Sequence, residues 1–271
     1  MKSAHNTTKG DNMIDNYKRK QVFDILIMPI KTVGYSNGTV NITKEGNIIK
    51  STQTYYPYKI WNQKPVPITL DADISDFAVG FYEIIYGNII NAKSLIENDR
   101  FVDNKFAGDT MNSFETIANL FPEAGSCKKN RTLPTAWPDK LQQYKKQYHC
   151  LANFWILPIE IGRKLDENNV LCKGSYKYGI RDYVDRFLVK LKENNKYFYC
   201  NDFSQFAKVQ FICGSYVYAD DSIYTFSDVE SNPNLLIDKI VDRIKIRATA
   251  IANSEYAECL WEYFNRNCLF E

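Results

Sequence analysis

Residues 147–164 read QYHCLANFWILPIEIGRK, and this segment places polar groups beside a clear core sequence. His149 is one of only two histidines in the chain, and it precedes an apolar run that ends at Pro158. Gly162 and Arg163 follow this run. Apolar runs bounded by proline and glycine are typical of buried elements. We therefore expect this segment to lie in the core and to carry His149, the strongest candidate for chemistry.

The composition is that of a globular protein. The 271 residues suffice for a substantial core, and hydrophobic and charged residues make up 45% and 24% of them. The first residues lack the apolar stretch of a signal peptide, and no apolar run reaches the length of a membrane span. Seven cysteines without C-x-x-C spacing are typical of reduced thiols. We expect a soluble, cytoplasmic protein with no metal, no cofactor and no membrane partner.

The first 70 residues predict a small β-structure. Residues 1–19 are polar and predict a disordered tail. The stretch VFDILIMPI at 22–30 is rich in β-branched and apolar residues, and alternating residues and turn signals follow. This pattern predicts an antiparallel β-meander over residues 21–52. Three prolines and several aromatic residues between 55 and 68 then predict an extended connector, so that residues 20–70 form one unit.

Residues 71–271 predict a helical domain, because apolar residues recur there at helical spacing. Asp73 or Ser75, Asp109 and Asn232 are the expected N-caps. We predict an α+β fold, mostly helical, in which this domain and the small antiparallel meander form one globular unit. The expected helices run through Phe77 to Ile85, Thr110 to Phe121, Asp139 to Trp155, Ile180 to Leu191, Asn232 to Ile244 and Tyr256 to Phe264.

Charge is distributed unevenly along the chain. Between Cys127 and Cys150 there are six Lys and Arg residues and one acid, whereas between Asn201 and Glu271 there are eleven acids and six bases. This asymmetry indicates either two solvated faces of opposite sign or a basic strip that contacts phosphates. The aromatic connector is either a stacking surface for nucleic acid or a strap over the core. The candidate nucleic-acid contacts are Lys128, Lys129, Arg131, Lys145, Lys146, Tyr56 and Trp61.

The absence of common catalytic motifs excludes several classes of enzyme and supports none. No P-loop, dinucleotide-binding or H-E-x-x-H motif occurs. Because His5 lies in the expected tail, only His149 remains for acid–base chemistry, which is too few for an HNH nuclease or a two-histidine ribonuclease. His149 is interpreted either as a histidine at the edge of the core or as a general base. As a base it would need a partner from elsewhere, and Cys172 and Asp109 are the candidates.

Polar residues that sit among apolar ones are candidates for an anion or ligand site. Helix N-termini with unpaired amides and nearby arginines bind anions. The alternative is that these residues are helix caps and exposed ion pairs. Carboxylates for two-metal catalysis would come from Asp71, Asp73 and Asp76, but their spacing spreads them around a helix. The anion or ligand candidates are Asn112, Asn153, Arg163 and Arg181.

Two motifs carry a resemblance to known sequences. Residues 108–114 read GDTMNSF, residues 149–158 read HCLANFWILP, and an Asp-Tyr pair follows at 182–183. The chain thereby resembles a group of uncharacterised bacterial proteins with G-D-T-x-x-S-F and H-x-[IL]-[AG]-N-[FM]-x-x-x-P motifs, over roughly residues 100–195. That resemblance implies no established activity. The second motif is also similar to a segment of restriction-type HNH nucleases, although Ala152 replaces the usual glycine and the upstream catalytic histidine has no counterpart.

The function that these observations predict is that of a non-catalytic binding protein with a protein partner. Proteins with such motifs resemble the products of accessory genes of bacteria and their phages. Bacterial defence or a mobile element is therefore the expected setting. Nucleic acid is the second class of partner. The alternative function is a nucleic-acid-acting, nuclease-like enzyme with a cleft around His149, which requires His149, Asp109, Arg163 and Arg181 to converge.

Overall fold

The computed structural model describes residues 14–36, 39–54, 70–89, 106–158, 200–212 and 232–270, the backbone of 58–61 and 64–67, and five positions between 184 and 192. Within these residues the fold is α+β and mostly helical, with a small N-terminal sheet, as the sequence predicts. None of the helices in this described part combines the length and the apolar character needed to cross a bilayer.

The first described element is a helix, which corrects the expectation of a strand. α1 spans Asn16–Leu26, and the Asp15 side chain caps it by accepting from a first-turn amide at 2.8 Å. Val22, Ile25 and Leu26 lie at helical spacing and are buried. The β-branched residues favoured a strand in the prediction. The segment forms a helix because the polar residues before them supply its N-cap and its exposed face. The tail expected at 1–19 thus overlaps a helix from residue 16 onward, and residues 1–13 lie outside the described part.

Three short strands form the N-terminal sheet: β1 (Ile30–Tyr35), β2 (Ile42–Glu45) and β3 (Ile48–Gln53). Their order is β1-β3-β2, with β2 antiparallel and β1 parallel to β3. The expected antiparallel meander is therefore wrong for β1, because β3 inserts between β1 and β2 and pairs with both. The turn between β2 and β3 is as predicted, and Gly46 adopts a φ of 57° there, a conformation that favours glycine.

The aromatic connector forms a second, two-stranded sheet. β4 (Tyr58–Trp61) and β5 (Lys64–Pro67) pair antiparallel. Pro65 and Pro67 take strand positions in β5. Each strand of such a hairpin has one edge without a neighbour in the sheet, and a proline, which lacks the amide hydrogen, is tolerated there. The extended backbone that the prolines predict is therefore present.

Helices form most of the remaining body. Ser75 and Asn232 cap two of them, each by accepting a hydrogen bond from a first-turn amide, as predicted. The described positions between 184 and 192 are also helical, and the apolar ones among them are buried, in agreement with the helix expected at 180–191. These helices are α2 (Asp76–Tyr86), α3 (Phe114–Ala118), α4 (Asp139–Gln147), α5 (Phe203–Val209), α6 (Pro233–Ala252) and α7 (Ala257–Arg266).

One strand pair overlaps the ends of two predicted helices. β6 (Phe106–Thr110) and β7 (Phe154–Pro158) pair antiparallel. Asp109 therefore lies in a strand and does not cap α3. The cap is Ser113, whose side chain accepts from an amide in the first turn of α3. The predicted helix thus begins four residues later than expected.

The segment around His149 is a turn. α4 ends at Gln147, and a 3₁₀ turn at Leu151–Asn153 leads into β7. The predicted continuation of the helix to Trp155 is therefore wrong. Aromatic and β-branched residues favour strands, and the residues of this kind that follow the turn form β7.

Arg247 of α6 is fully buried and fixes β7 in the core. Its guanidinium donates to the carbonyls of Ala152, Phe154 and Gln210, each at 2.8 Å, and to the Tyr86 hydroxyl at 3.1 Å. These acceptors belong to β7 and its preceding turn, to the end of α5 and to α2. One side chain thereby joins four segments that are distant in sequence.

Candidate functional site

The basic segment of the sequence is an exposed loop followed by α4. Residues 126–136 are exposed except for Arg131. They fold into short 3₁₀ turns at Lys128–Asn130 and Pro134–Ala136. We call residues 126–136 together with Lys145 and Lys146 of α4 the basic loop surface. Exposed loops held by a packed scaffold are common places for binding residues.

Arg131 holds this loop from inside, so its prediction as a nucleic-acid contact is corrected. Its side chain is only 12% exposed and pairs with the Glu115 carboxylate at 3.1 Å. It also donates to the carbonyls of Glu115, Ala124 and Gly125 and to the Asn119 side chain. A guanidinium has five N–H donors. With these partners, Arg131 fixes the loop and offers little to a ligand.

The lysines of the basic loop surface remain available to a partner. Each is exposed, and none forms an ion pair within the described part of the chain. Lys140, by contrast, pairs with Asp238 of α6. The side chains of Tyr56 and Trp61, the aromatic candidates, lie outside the described residues. The available lysines are Lys128, Lys129, Lys145 and Lys146.

Leu133 is the most exposed large apolar residue of this surface. It is 76% exposed. The chain beside it is fixed, because the Trp137 ring packs on Phe114 at 5.0 Å between centroids and its N–H donates to the Thr132 carbonyl at 3.1 Å. An apolar side chain held outward on an ordered loop loses little conformational entropy when it is buried by a partner. Leu133 therefore has the properties of a binding anchor.

Lys145 has the most unusual environment among these lysines. Its ammonium lies 4.2 Å from the centroid of the Phe114 ring and 5.4 Å from that of Tyr148. The pKa of Lys145 is lowered from its usual value, chiefly because the ammonium is partly removed from water. Glu115 acts against this shift, whereas the positive charges of Lys128 and Arg131 lower the pKa further. Lys145 is thus a partly desolvated cation beside other cations.

His149 lies at the edge of the core. Its ring packs on Tyr148 at 4.0 Å and meets the edge of Phe154 at 6.1 Å between centroids. Its backbone carbonyl accepts from the Ile30 amide at 2.7 Å, which ties the turn to β1. The side chain is 28% exposed. These contacts agree with the interpretation of His149 as a core-edge histidine.

Asp71 is the acidic neighbour of His149, and the sequence did not suggest this pairing. Asp71 Oδ1 lies 4.0 Å from His149 Nε2, which is too long for a hydrogen bond. This oxygen is buried and has no hydrogen-bond partner among the described residues, although 47% of the side chain is exposed. Of the partners predicted for His149, Asp109 accepts from the Thr110 amide at 2.9 Å, and Cys172 lies outside the described residues.

The three aspartates considered for metal catalysis serve separate contacts. Asp73 is buried and accepts from the Thr110 hydroxyl at 2.7 Å. Asp76 accepts from the Thr52 hydroxyl at 2.6 Å and joins α2 to β3. Asp71 faces His149. In the described part of the chain, no group of three His, Cys, Asp or Glu side chains is placed to hold a metal ion.

The predicted ligand-binding asparagines are buried structural residues. Asn153 donates to two backbone carbonyls at 2.7 and 2.8 Å, and Asn112 accepts from a helix amide at 3.2 Å. Both are less than 5% exposed. The amide nitrogen of Asn153 and the amide oxygen of Asn112 thus form hydrogen bonds within the fold. Arg163 and Arg181, the other two candidates, lie outside the described residues, so their convergence with His149 stays a prediction.

Residues 34–38 have the spacing G-x-S-x-G of a nucleophile elbow. That motif requires a strand followed by a helix. Here Ser36 follows β1, and the next element is β2. The Ser36 hydroxyl donates to the Thr39 carbonyl at 2.6 Å. The pattern therefore marks a connection between strands and does not define a nucleophile.

Cys150, beside His149, is expected to be unreactive in the folded protein. Burial raises the pKa of its thiol to about 12. Because the thiolate is the nucleophile, we expect Cys150 to react with iodoacetamide at pH 8 at least about a hundredfold more slowly than exposed Cys259 and Cys127. Peptide mass spectrometry after timed quenching measures these rates. In guanidinium the difference should disappear, and equal rates in the folded protein would contradict the burial of Cys150.

The roles of two residues of the candidate site were not predicted from the sequence. Leu133 carried a signal, since it is a lone leucine in a polar loop between Lys129 and Pro134. Asp71 appeared only as a metal candidate, because nothing local connects it with His149.

Comparison with protein-family models, with curated proteins and with solved structures found no match to this chain. The class of this protein is therefore described from its structure alone: it is an α+β protein with a basic loop surface next to a histidine–aspartate contact. The likeness of its motifs to uncharacterised bacterial proteins and to HNH nucleases stays a prediction.

Proposed function

We propose that this chain is a binding protein that docks an acidic protein partner on the basic loop surface. The observation that carries the proposal is Leu133, which is 76% exposed on a loop that Arg131 fixes. Exposed lysines that form no ion pair within the described residues belong to the same loop and to α4. An apolar anchor inside a charged rim is the usual composition of a protein-binding surface.

A protein partner is favoured over nucleic acid by the kind of cation available. Arginine recognises phosphates through its planar fork, but Arg131 uses its donors inside the loop. Binding of phosphates would also not explain why Leu133, an apolar residue, is exposed on this surface. A partner with a small apolar pocket flanked by carboxylates would satisfy both the leucine and the lysines.

The anchor and the lysines are expected to contribute differently. Burial of a leucine by a partner contributes about 2 kcal/mol, whereas each rim charge contributes below about 1 kcal/mol and acts mainly on the association rate. Replacement of Leu133 should therefore weaken binding at all salt concentrations. Replacement of Lys128 and Lys129 should weaken it mainly at low salt.

The test is affinity capture from nuclease-treated native extract on immobilised wild-type protein and matched variants. We expect a partner whose retention falls at least about tenfold with Leu133→Asp. The control is Val40→Asp, since Val40 is another exposed apolar residue, at 53%, outside this surface. Retention by Leu133→Asp equal to that by Val40→Asp would reject the proposal.

Binding to single-stranded DNA decides between the two partner classes. Retention that depends steeply on salt, falls with Lys128→Glu and ignores Leu133→Asp would indicate nucleic acid in place of a protein. The nuclease-like alternative is favoured only by the contact between His149 and Asp71. Cleavage of the same DNA that vanishes in His149→Gln would replace the docking proposal. Bacterial defence or a mobile element remains the proposed setting.

A further inference from the structure

The contact between His149 and Asp71 joins two turns that the N-terminal sheet holds in place. The His149 carbonyl accepts from the Ile30 amide of β1 at 2.7 Å. The Asp71 amide donates to the Gln53 side chain at 3.2 Å, and the Asp71 carbonyl accepts from the Thr32 hydroxyl at 2.9 Å. Because both backbones are tied to the sheet, only the two side chains need to move for the contact to change.

The Asp71 carboxylate has a buried oxygen that lacks a donor. Among the described residues, Asp71 Oδ1 is the one buried side-chain oxygen without a hydrogen-bond partner. Such an oxygen costs free energy, and it calls for a physical explanation. His149 Nε2 lies 4.0 Å from it. A charge-assisted N–H···O bond is about 2.8 Å long, so the contact closes when the two side-chain tips approach by roughly 1 Å.

The carboxylates near this contact favour a charged imidazole. The Tyr148 ring packs on that of His149 at 4.0 Å between centroids. Burial raises the pKa of Tyr148, and three carboxylates raise it further, those of Asp71, Asp73 and Glu115. The same negative charges attract a positive imidazolium on the neighbouring ring, so they favour the protonated form of His149.

The other groups around His149 oppose this preference only in part. The cations are Lys145, which lies 5.4 Å from the centroid of the Tyr148 ring, and Arg131, which is paired with Glu115. The uncharged neighbours, which come from β1, from the turn itself and from β7, are Ile30, Cys150 and Phe154. Asp71 is the charged group that faces the imidazole nitrogen directly.

We propose that His149 and Asp71 form a pH-sensitive latch between the turn before β7 and the 3₁₀ turn at Ala72–Ile74, which precedes α2. A protonated imidazole carries a positive charge and an N–H on both ring nitrogens, so Nε2 donates to Asp71 Oδ1 and the ion pair closes. When the proton leaves to solvent, the charge that attracts the carboxylate is lost and the latch opens. The latch does not depend on docking at the basic loop surface, and it is tested on the isolated chain.

The latch stabilises the protonated form, so its contribution to stability belongs to the acid side of the titration. A histidine has an ordinary pKa of about 6.5. The contribution should be complete below this value, and it should disappear as the pH rises through the titration midpoint of His149 in the folded protein. Carboxylates are ordinarily ionised throughout this window, so the proton of the histidine is the switch.

Nuclear magnetic resonance titration of the imidazole C–H signals measures the latch directly, because the chain contains only two histidines, His5 and His149. We expect the His149 midpoint to fall by at least about 0.5 pH unit in Asp71→Asn, since the amide carries no charge. The matched control is Asp242→Asn, which replaces an exposed aspartate of α6 and should leave the midpoint unchanged. A His149 midpoint that is the same in Asp71→Asn and in the wild type would overturn the proposal.

Urea unfolding of His149→Gln tests the latch without a change at Asp71. The glutamine loses ring packing at every pH, but it loses the ion pair only where the histidine is protonated. We therefore expect the substitution to reduce the folding equilibrium constant about threefold more at about pH 5.5 than at about pH 8. Circular dichroism checks that the variant is folded before urea is added. An equal loss at the two pH values would also overturn the proposal.

Discussion

Replacement of Arg247 by methionine is expected to lower the free energy of unfolding by about 4 kcal/mol. Methionine fills a similar volume but donates no hydrogen bond. The carbonyls of Ala152, Phe154 and Gln210 would remain buried and lose their charged donor. Because these acceptors belong to the backbone, no accompanying substitution can remove them.

The Arg247 side chain has a second contact that methionine would not keep. Its guanidinium lies over the Trp155 ring at 5.0 Å from the centroid, and no carboxylate among the described residues forms an ion pair with it. Backbone carbonyls, the Tyr86 hydroxyl and this ring therefore stabilise the buried charge. Lysine retains the charge but not the planar fork, so Arg247→Lys should also destabilise the protein.

Urea unfolding followed by far-ultraviolet circular dichroism measures the loss. For a chain of this size, about 4 kcal/mol corresponds to a melting temperature lower by roughly 8 to 16 °C. The matched control is Lys245→Met on the same helix, since Lys245 is exposed and its replacement should change stability by less than about 0.5 kcal/mol. An Arg247→Met protein as stable as this control would show that the buried contacts are not needed.

Replacement of Gly108 by alanine is expected to cost about 3 kcal/mol through overpacking and a disrupted hydrogen bond. A Cβ atom at this position would lie 2.5 Å from the Asp73 carbonyl oxygen and 2.5 Å from the Tyr82 ring. The Tyr82 hydroxyl donates to that carbonyl at 2.9 Å. One methyl group would therefore separate β6 from the 3₁₀ turn at Ala72–Ile74, which packs against it.

The same unfolding measurement tests Gly108→Ala. The control is Thr43→Ala in β2, an exposed strand position where the change should stay below about 1 kcal/mol. We expect the midpoint to fall while the dependence of unfolding free energy on urea is unchanged, because the fold is destabilised and not altered. A Gly108→Ala loss no larger than that of Thr43→Ala would mean that the close approach can be relieved at little cost.

The candidate site was only partly predictable, because its residues act through partners that are distant in sequence. The exposed lysines followed from local charge density. Arg131 belongs to the same run, yet it turns inward, since Glu115 and the loop carbonyls meet it there. Asp71 meets His149 across 78 positions of the chain, and no spacing rule connects two side chains so far apart.

By itself, the sequence determined the α+β class, several helices and their caps. Ser75 and Asn232 were identifiable because a cap and the apolar spacing after it lie within one or two helical turns. Arg247 had a comparable signal, since it continues the buried stripe of Ile240 and Ile244, but its charge argued against burial.

Only the tertiary structure decided the strand pairing, the pairing of Asp71 with His149 and the internal roles of Arg131 and Arg247. Local propensity acts within a few residues, whereas these features depend on groups that meet after the chain has folded. The parallel pairing of β3 with β1 and the pairing of β7 with β6 could not be predicted, because each strand meets a partner from another part of the chain.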